Sequence, residues 1–207
     1  MLKAVREYLS FAGVQYRNPD KAGDEREKML ELRHKGQEAR KAFTNLAKAF
    51  QEKHPEWQLQ QTSQWMNQAQ RLRPHFWVYL QREGEVTEPM LALRLYGNPS
   101  DFGISLETSF IERKKDEQTL GKQAKVLDIP PVEGMYYLAY TDDQSQKVEA
   151  TEEDRQLLRE KVQCQEIRKV LVKSDISFIE NQSVEAILEK LEDAYTLLLP
   201  YYEVTRG

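Results

Sequence analysis

Leu91-Ala92-Leu93-Arg94-Leu95-Tyr96-Gly97-Asn98-Pro99-Ser100-Asp101-Phe102-Gly103-Ile104-Ser105-Leu106-Glu107 decides the fold of this chain. Leu91, Leu93 and Leu95 alternate with other residues before a Gly-Asn-Pro-Ser turn, and Phe102, Ile104 and Leu106 alternate after it. Period-two spacing predicts two strands, each apolar on one face. The link between them is far too short for the crossover that parallel neighbours need, so the pair is read as an antiparallel hairpin. Toward the N-terminus, Phe76, Val78 and Leu80 repeat the pattern across Glu83-Gly84, and Trp57 and Leu59 begin it. The reading is an antiparallel meander.

Helical spacing frames these strands. In residues 24–53, Leu32, Ala39, Phe43, Leu46, Ala47 and Phe50 return on one face with no proline among them, which predicts a long amphipathic helix stopped at His54-Pro55. A short helix is expected over residues 2–11, set off by Gly13 and Asn18-Pro19-Asp20. Further on, a weak helix (115–126), a strand (135–140), a Thr151-capped helix to about 162 and a basic strand (167–173) are expected. Ser183 caps a last helix whose Val184, Ile187, Leu188, Leu191 and Tyr195 form a stripe ending near Pro200. The expected fold is α+β, a central antiparallel sheet packed against a long N-terminal and a C-terminal helix. All 207 residues are read as one domain, with a helical segment at 1–54, a sheet-rich core at 55–175 and a helix and tail at 176–207.

Composition narrows the function classes. Thirty Lys+Arg against 34 Asp+Glu give a net charge of −4, so an anion-binding site would have to be local. The mean hydropathy of −0.74 and the lack of a long apolar run predict no membrane span, and the N-terminus is too charged for a signal peptide, so a cytoplasmic location is expected. One cysteine, Cys164, and three histidines, His34, His54 and His75, argue against a disulfide and a Cys/His metal site, and no cofactor is indicated. Dinucleotide, P-loop, nucleophile-elbow, zinc-protease and EF-hand signatures are all missing from the sequence. Glu112-Arg113-Lys114, with Asp101 nearby, has the acid-x-lysine form used by some metal-dependent nucleases, but fits a solvated strand end better.

Residues 57–82 contain no carboxylate, yet hold Arg71, Arg73, Arg82 and all three tryptophans. Gln61, Ser63, Trp65, Asn67 and Arg71 offer polar edges, an aromatic plane and a guanidinium suited to bases and phosphates; the competing reading is packed tryptophans and arginines paired with nearby acids. If the apolar residues of the three central strands face the helices, the opposite face displays His75, Trp77, Tyr79, Arg94, Tyr96, Ser105 and Glu107. Aromatic rings on an open sheet stack bases while arginine meets phosphate. A solvated sheet face without a ligand is the alternative.

The runs Arg73-Pro74-His75-Phe76-Trp77-Val78-Tyr79-Leu80, Leu93-Arg94-Leu95-Tyr96-Gly97 and Phe102-Gly103-Ile104-Ser105-Leu106-Glu107, with Arg168-Lys169-Val170-Leu171-Val172-Lys173 later, resemble a bacterial family of uncharacterised proteins of similar length. Some of its members carry a glucose-6-phosphate dehydrogenase label. That label implies an NADP site, for which this chain has no dinucleotide fingerprint. The central half is also similar to the N-terminal DNA-reading domain of McrB-type restriction systems, which implies recognition of a base in an aromatic pocket.

The first functional expectation is therefore a module that binds single-stranded nucleic acid or a nucleotide. In it Trp65 and Trp77 stack, Arg71 and Arg94 meet phosphate, and Gln61, Ser63 and Asn67 read polar edges. The rivals are an enzyme on a phosphorylated metabolite, with His75 or Glu107 as general base, and a non-catalytic protein-interaction module.

Overall fold

Alternating apolar residues become strands and the 3.6-period stripes become helices, in the order α1 (Leu2–Leu9), α2 (Arg26–Lys53), β1 (Gln58–Leu59), β2 (Trp77–Gln81), β3 (Met90–Asn98), β4 (Asp101–Ser109), α3 (Glu117–Ala124), β5 (Tyr136–Tyr140), β6 (Ser145–Glu149), α4 (Glu152–Gln163), β7 (Lys169–Ser177) and α5 (Val184–Arg206). The computed structural model describes residues 2–82, 88–110, 117–142, 144–178 and 182–206. Glu112-Arg113-Lys114 lies outside them.

The seven strands form one sheet in the order β1-β2-β3-β4-β7-β5-β6, with every pair antiparallel. Strands β1 to β4 are the expected meander. Beyond β4 the order departs from it: β7 pairs with β4 and with β5, so it separates β4 from the β5–β6 hairpin. Helices α3 and α4 give the chain the length to leave the sheet after β4 and return to it after β6. Strand β6, Ser-Gln-Lys-Val-Glu, has almost no apolar pattern and is mostly exposed at the sheet edge. It was not expected from the sequence. Strand β7 runs on to Ser177, four residues beyond the expected end at Lys173.

Phe76, Val78, Leu80, Leu91, Leu93, Leu95, Phe102, Ile104 and Leu106 are all buried on the face that meets the helices. Helix α2 covers it with Met29, Leu32, Ala39, Phe43, Leu46, Ala47 and Phe50. Tyr8 of α1 stacks on Phe76, their centroids 5.0 Å apart, and its hydroxyl donates to the carbonyls of Trp65 and Arg73. Helix α5 does not stop near Pro200 but continues to Arg206. A proline removes one backbone donor and crowds the preceding turn, yet Leu198, Tyr201, Tyr202 and Thr205 are buried around it, and that packing carries the helix through. Gly97 turns β3 into β4 with φ +94, and a Cβ there would lie 2.1 Å from the Asp101 carbonyl oxygen. No helix among the described residues is long and apolar enough to cross a membrane.

Candidate nucleic-acid interface

The second face of the sheet follows from the same alternation. Register places Trp77, Arg94, Ser105 and Asp175 in one row across β2, β3, β4 and β7. Tyr79, Ala92, Glu107, Lys173, Tyr136 and Glu149 form the next row, which continues over β5 and β6. Tyr96 lies opposite Gly103, and Tyr140 opposite Lys169. A Cβ on Gly103 would fall 2.6 Å from the Tyr96 hydroxyl, so the glycine lets that ring lie across β4, where its oxygen is 3.2 Å from Ser177 Oγ. Trp77, Tyr79, Tyr96, Tyr136 and Tyr140 are all partly exposed.

At the centre sits a charge triad. Arg94 donates to Glu107 Oε1 through Nε at 3.1 Å and Nη2 at 2.8 Å, and Lys173 Nζ lies 2.9 Å from Glu107 Oε2. The Glu107 side chain is fully buried, Lys173 is 6% exposed and Arg94 is 26% exposed. Burial alone would raise the pKa of Glu107, but the two cations outweigh it and hold the carboxyl below its ordinary range. Arg94 resists burial in turn because Glu107 stabilises its charge.

Cations also sit over the aromatic rings. Arg73 and Arg94 approach the Trp77 ring at 4.7 and 5.5 Å, Lys147 lies 3.9 Å from the Tyr136 centroid, and Lys169 lies 4.4 Å from that of Tyr140. Tyr136 donates to Asp175 at 2.9 Å, and Lys147 is 3.7 Å from the other Asp175 oxygen. His75 lies 5.6 Å from Trp77, ring to ring. Burial first, and then the charges of Arg94, Arg73 and Lys173, push its imidazole down to about 4, so it is neutral near pH 7. A neutral imidazole donates or accepts a hydrogen bond without adding charge.

The structure brings His75, Trp77, Arg94, Tyr96 and Glu107 together on this face and leaves the other expected site residues off it. Trp65 is buried against α2, where a Cβ on Gly36 would come within 2.6 Å of its ring, and Tyr16 meets it edge-on at 5.0 Å. Its plane is taken up by packing. Asn67 Oδ1 accepts from the Arg71 backbone N–H at 2.9 Å and closes a turn, while the exposed Arg71 reaches the Gly13 carbonyl at 3.3 Å. Ser63 Oγ accepts from the Trp77 N–H at 3.0 Å beside the start of β2, and Gln61 is exposed.

Tyr136, Tyr140, Lys147, Lys169, Lys173 and Asp175 were missed. The period-two spacing of Tyr136 and Tyr140 in β5 and of Lys169, Lys173 and Asp175 in β7 is present in the sequence, but their place beside Glu107 depends on β7 entering between β4 and β5, and Lys147 belongs to the unpatterned edge strand β6. Among the described residues, no group of three or more His, Cys, Asp or Glu side chains is placed to hold a metal ion. No protein-family model matches the chain and no curated protein is significantly similar to it, so the face must be read from its own chemistry.

Proposed function

We propose that this protein binds single-stranded nucleic acid, or the nucleotides that compose it, on the open face of its sheet. The observation that carries the reading is the joint presence there of five partly exposed aromatic side chains and five cations, Arg73, Arg94, Lys147, Lys169 and Lys173, against the carboxylates of Asp101, Glu107, Asp175 and Glu149. Aromatic planes supply sequence-tolerant stacking and the cationic excess supplies attraction to phosphate. An acidic chain gains such a local field only by sorting its charges onto one surface.

Trp77 makes the reading testable, because Trp57 and Trp65 are buried and Trp77 is partly exposed. Oligothymidylate added to the full chain at low salt should quench tryptophan emission, and Trp77→Phe should remove the quench. The affinity should fall linearly with salt on a log–log plot. Absence of binding at low salt, or a quench that survives in Trp77→Phe, would overturn the assignment.

A further inference from the structure

Resting on the nucleic-acid reading above, we infer that the ligand is a strand of several nucleotides and that it crosses the sheet from β2 to β5, at right angles to the β-strands. The aromatic and cationic groups are not gathered at one point, as a mononucleotide would require. They stand at separate stations. The first is Trp77 with Arg73 and Arg94 on the β2 side, the second is Tyr136 with Lys147, and the third is Tyr140 with Lys169.

Register fixes the distance between them. Trp77 lies on β2 and Tyr136 on β5, with β3, β4 and β7 in between. Four strand spacings amount to roughly 19 Å. One base with its phosphate cannot touch both ends of that span, whereas on the order of four nucleotides can, at the lower end of the site sizes of open-sheet and barrel readers.

The charged groups along the path differ in how freely they can meet a phosphate. Between the first and second stations Arg94 and Lys173 stand against Glu107 and Asp175, so the middle of the path is close to neutral and phosphate contact falls to the stations at its ends. At the second station Lys147 is 63% exposed, and its contact with Asp175 at 3.7 Å is long enough to exchange for a phosphate. A strand running along β5 would meet Tyr136 and Tyr140, which both belong to it, and miss Trp77 with its two arginines, so dependence of binding on Arg73 separates the two paths.

The test is a length series of oligothymidylates, from the mononucleotide to about ten residues, titrated onto the full chain and onto two variants. Affinity should climb with length up to about four nucleotides and then flatten. Lys147→Gln should weaken the longer oligomers by about threefold to tenfold at low salt. Arg73→Gln should weaken every length. Full affinity already at one or two nucleotides, or a Lys147→Gln variant that binds the long oligomers as the parent does, would overturn the crossing path while leaving the proposed function standing. Failure of every length to bind the parent protein would remove the function itself.

Discussion

Glu107→Gln is the most informative single perturbation, because it keeps the shape of the side chain and removes the one charge that holds Arg94 and Lys173 together. The ion pairs have contacts of 2.8 and 2.9 Å. At an effective dielectric constant of about 20, each such pair is worth on the order of 6 kcal/mol of attraction. Against this stands the cost of keeping a carboxylate out of water, several kcal/mol, which the glutamine recovers. It does not recover the cost of Lys173, which stays 6% exposed without its counter-charge. The net loss should be about 3–5 kcal/mol, within the stability of a domain of this size, so the variant should still fold.

Urea unfolding at pH 7 measures that loss, and a pH series supplies an independent check. Glu107 has a folded pKa below its ordinary value of 4.5. Its stabilisation is therefore complete above that value, where both states are ionised, and is lost as pH falls through the lower folded pKa. The parent protein should lose stability below about pH 4.5 more steeply than Glu107→Gln does. A loss of less than about 1 kcal/mol at pH 7, or acid limbs of equal slope, would refute the view that the triad is a net stabilising unit.

Gly36→Ala should cost about 1–3 kcal/mol in thermal or urea unfolding, since the new methyl would sit 2.6 Å from the Trp65 ring and force the indole off the helix. His75→Gln should flatten the stability profile between pH 6.5 and about 4: the folded imidazole is held down to about 4, so the unfolded state binds more protons in that window and the parent loses stability as pH falls across it. Cys164→Ser should change the melting free energy by less than about 0.5 kcal/mol, because the thiol is exposed at the C-cap of α4. Deleting residues 1–53 should leave insoluble protein on expression, since Leu32, Phe43, Leu46 and Phe50 would no longer cover the sheet. A soluble, cooperatively melting truncation would show α2 to be dispensable.

The parts of the fold that were legible in the sequence are those in which one strand or helix contains its own evidence. Phe76, Val78 and Leu80, or Leu91, Leu93 and Leu95, announce a half-buried strand without reference to anything else, and the face opposite them follows by parity. That is why His75, Trp77, Arg94, Tyr96 and Glu107 share one side of the sheet as expected, although Glu107 is buried there and not displayed. The position of β7 was not legible, because pairing order is a property of the whole sheet. Strand β6 was hidden for a different reason: an edge strand with both faces mostly in water needs no apolar alternation, and Ser145, Gln146 and Lys147 are exposed. Half of the aromatic and cationic surface thus became visible only with the pairing of β4, β7 and β5.

The carboxylate-free run from Trp57 to Arg82 teaches the opposite lesson, since its unusual composition has an architectural explanation. Between β1 and β2 the chain has little regular structure, and its backbone groups must be satisfied by side chains. Arg40 of α2 donates to the carbonyls of Thr62 at 2.7 Å and Ser63 at 2.9 Å, Ser63 and Asn67 accept from backbone N–H groups, and Arg73 reaches the Met66 carbonyl at 3.3 Å. Amides, hydroxyls and guanidiniums serve this purpose, and ionised carboxylates, which only accept, serve it less well. An enrichment that looks like equipment for a ligand is therefore also what an irregular segment needs to hold itself against a helix. On the open face Arg73 shares that duty, whereas Lys147, Lys169 and Lys173 belong to strands whose own backbone is already paired in the ladder. Their placement over and between aromatic rings is what backbone satisfaction does not explain, and it is there, and not in the richer local sequence, that recognition of an anionic strand should be sought.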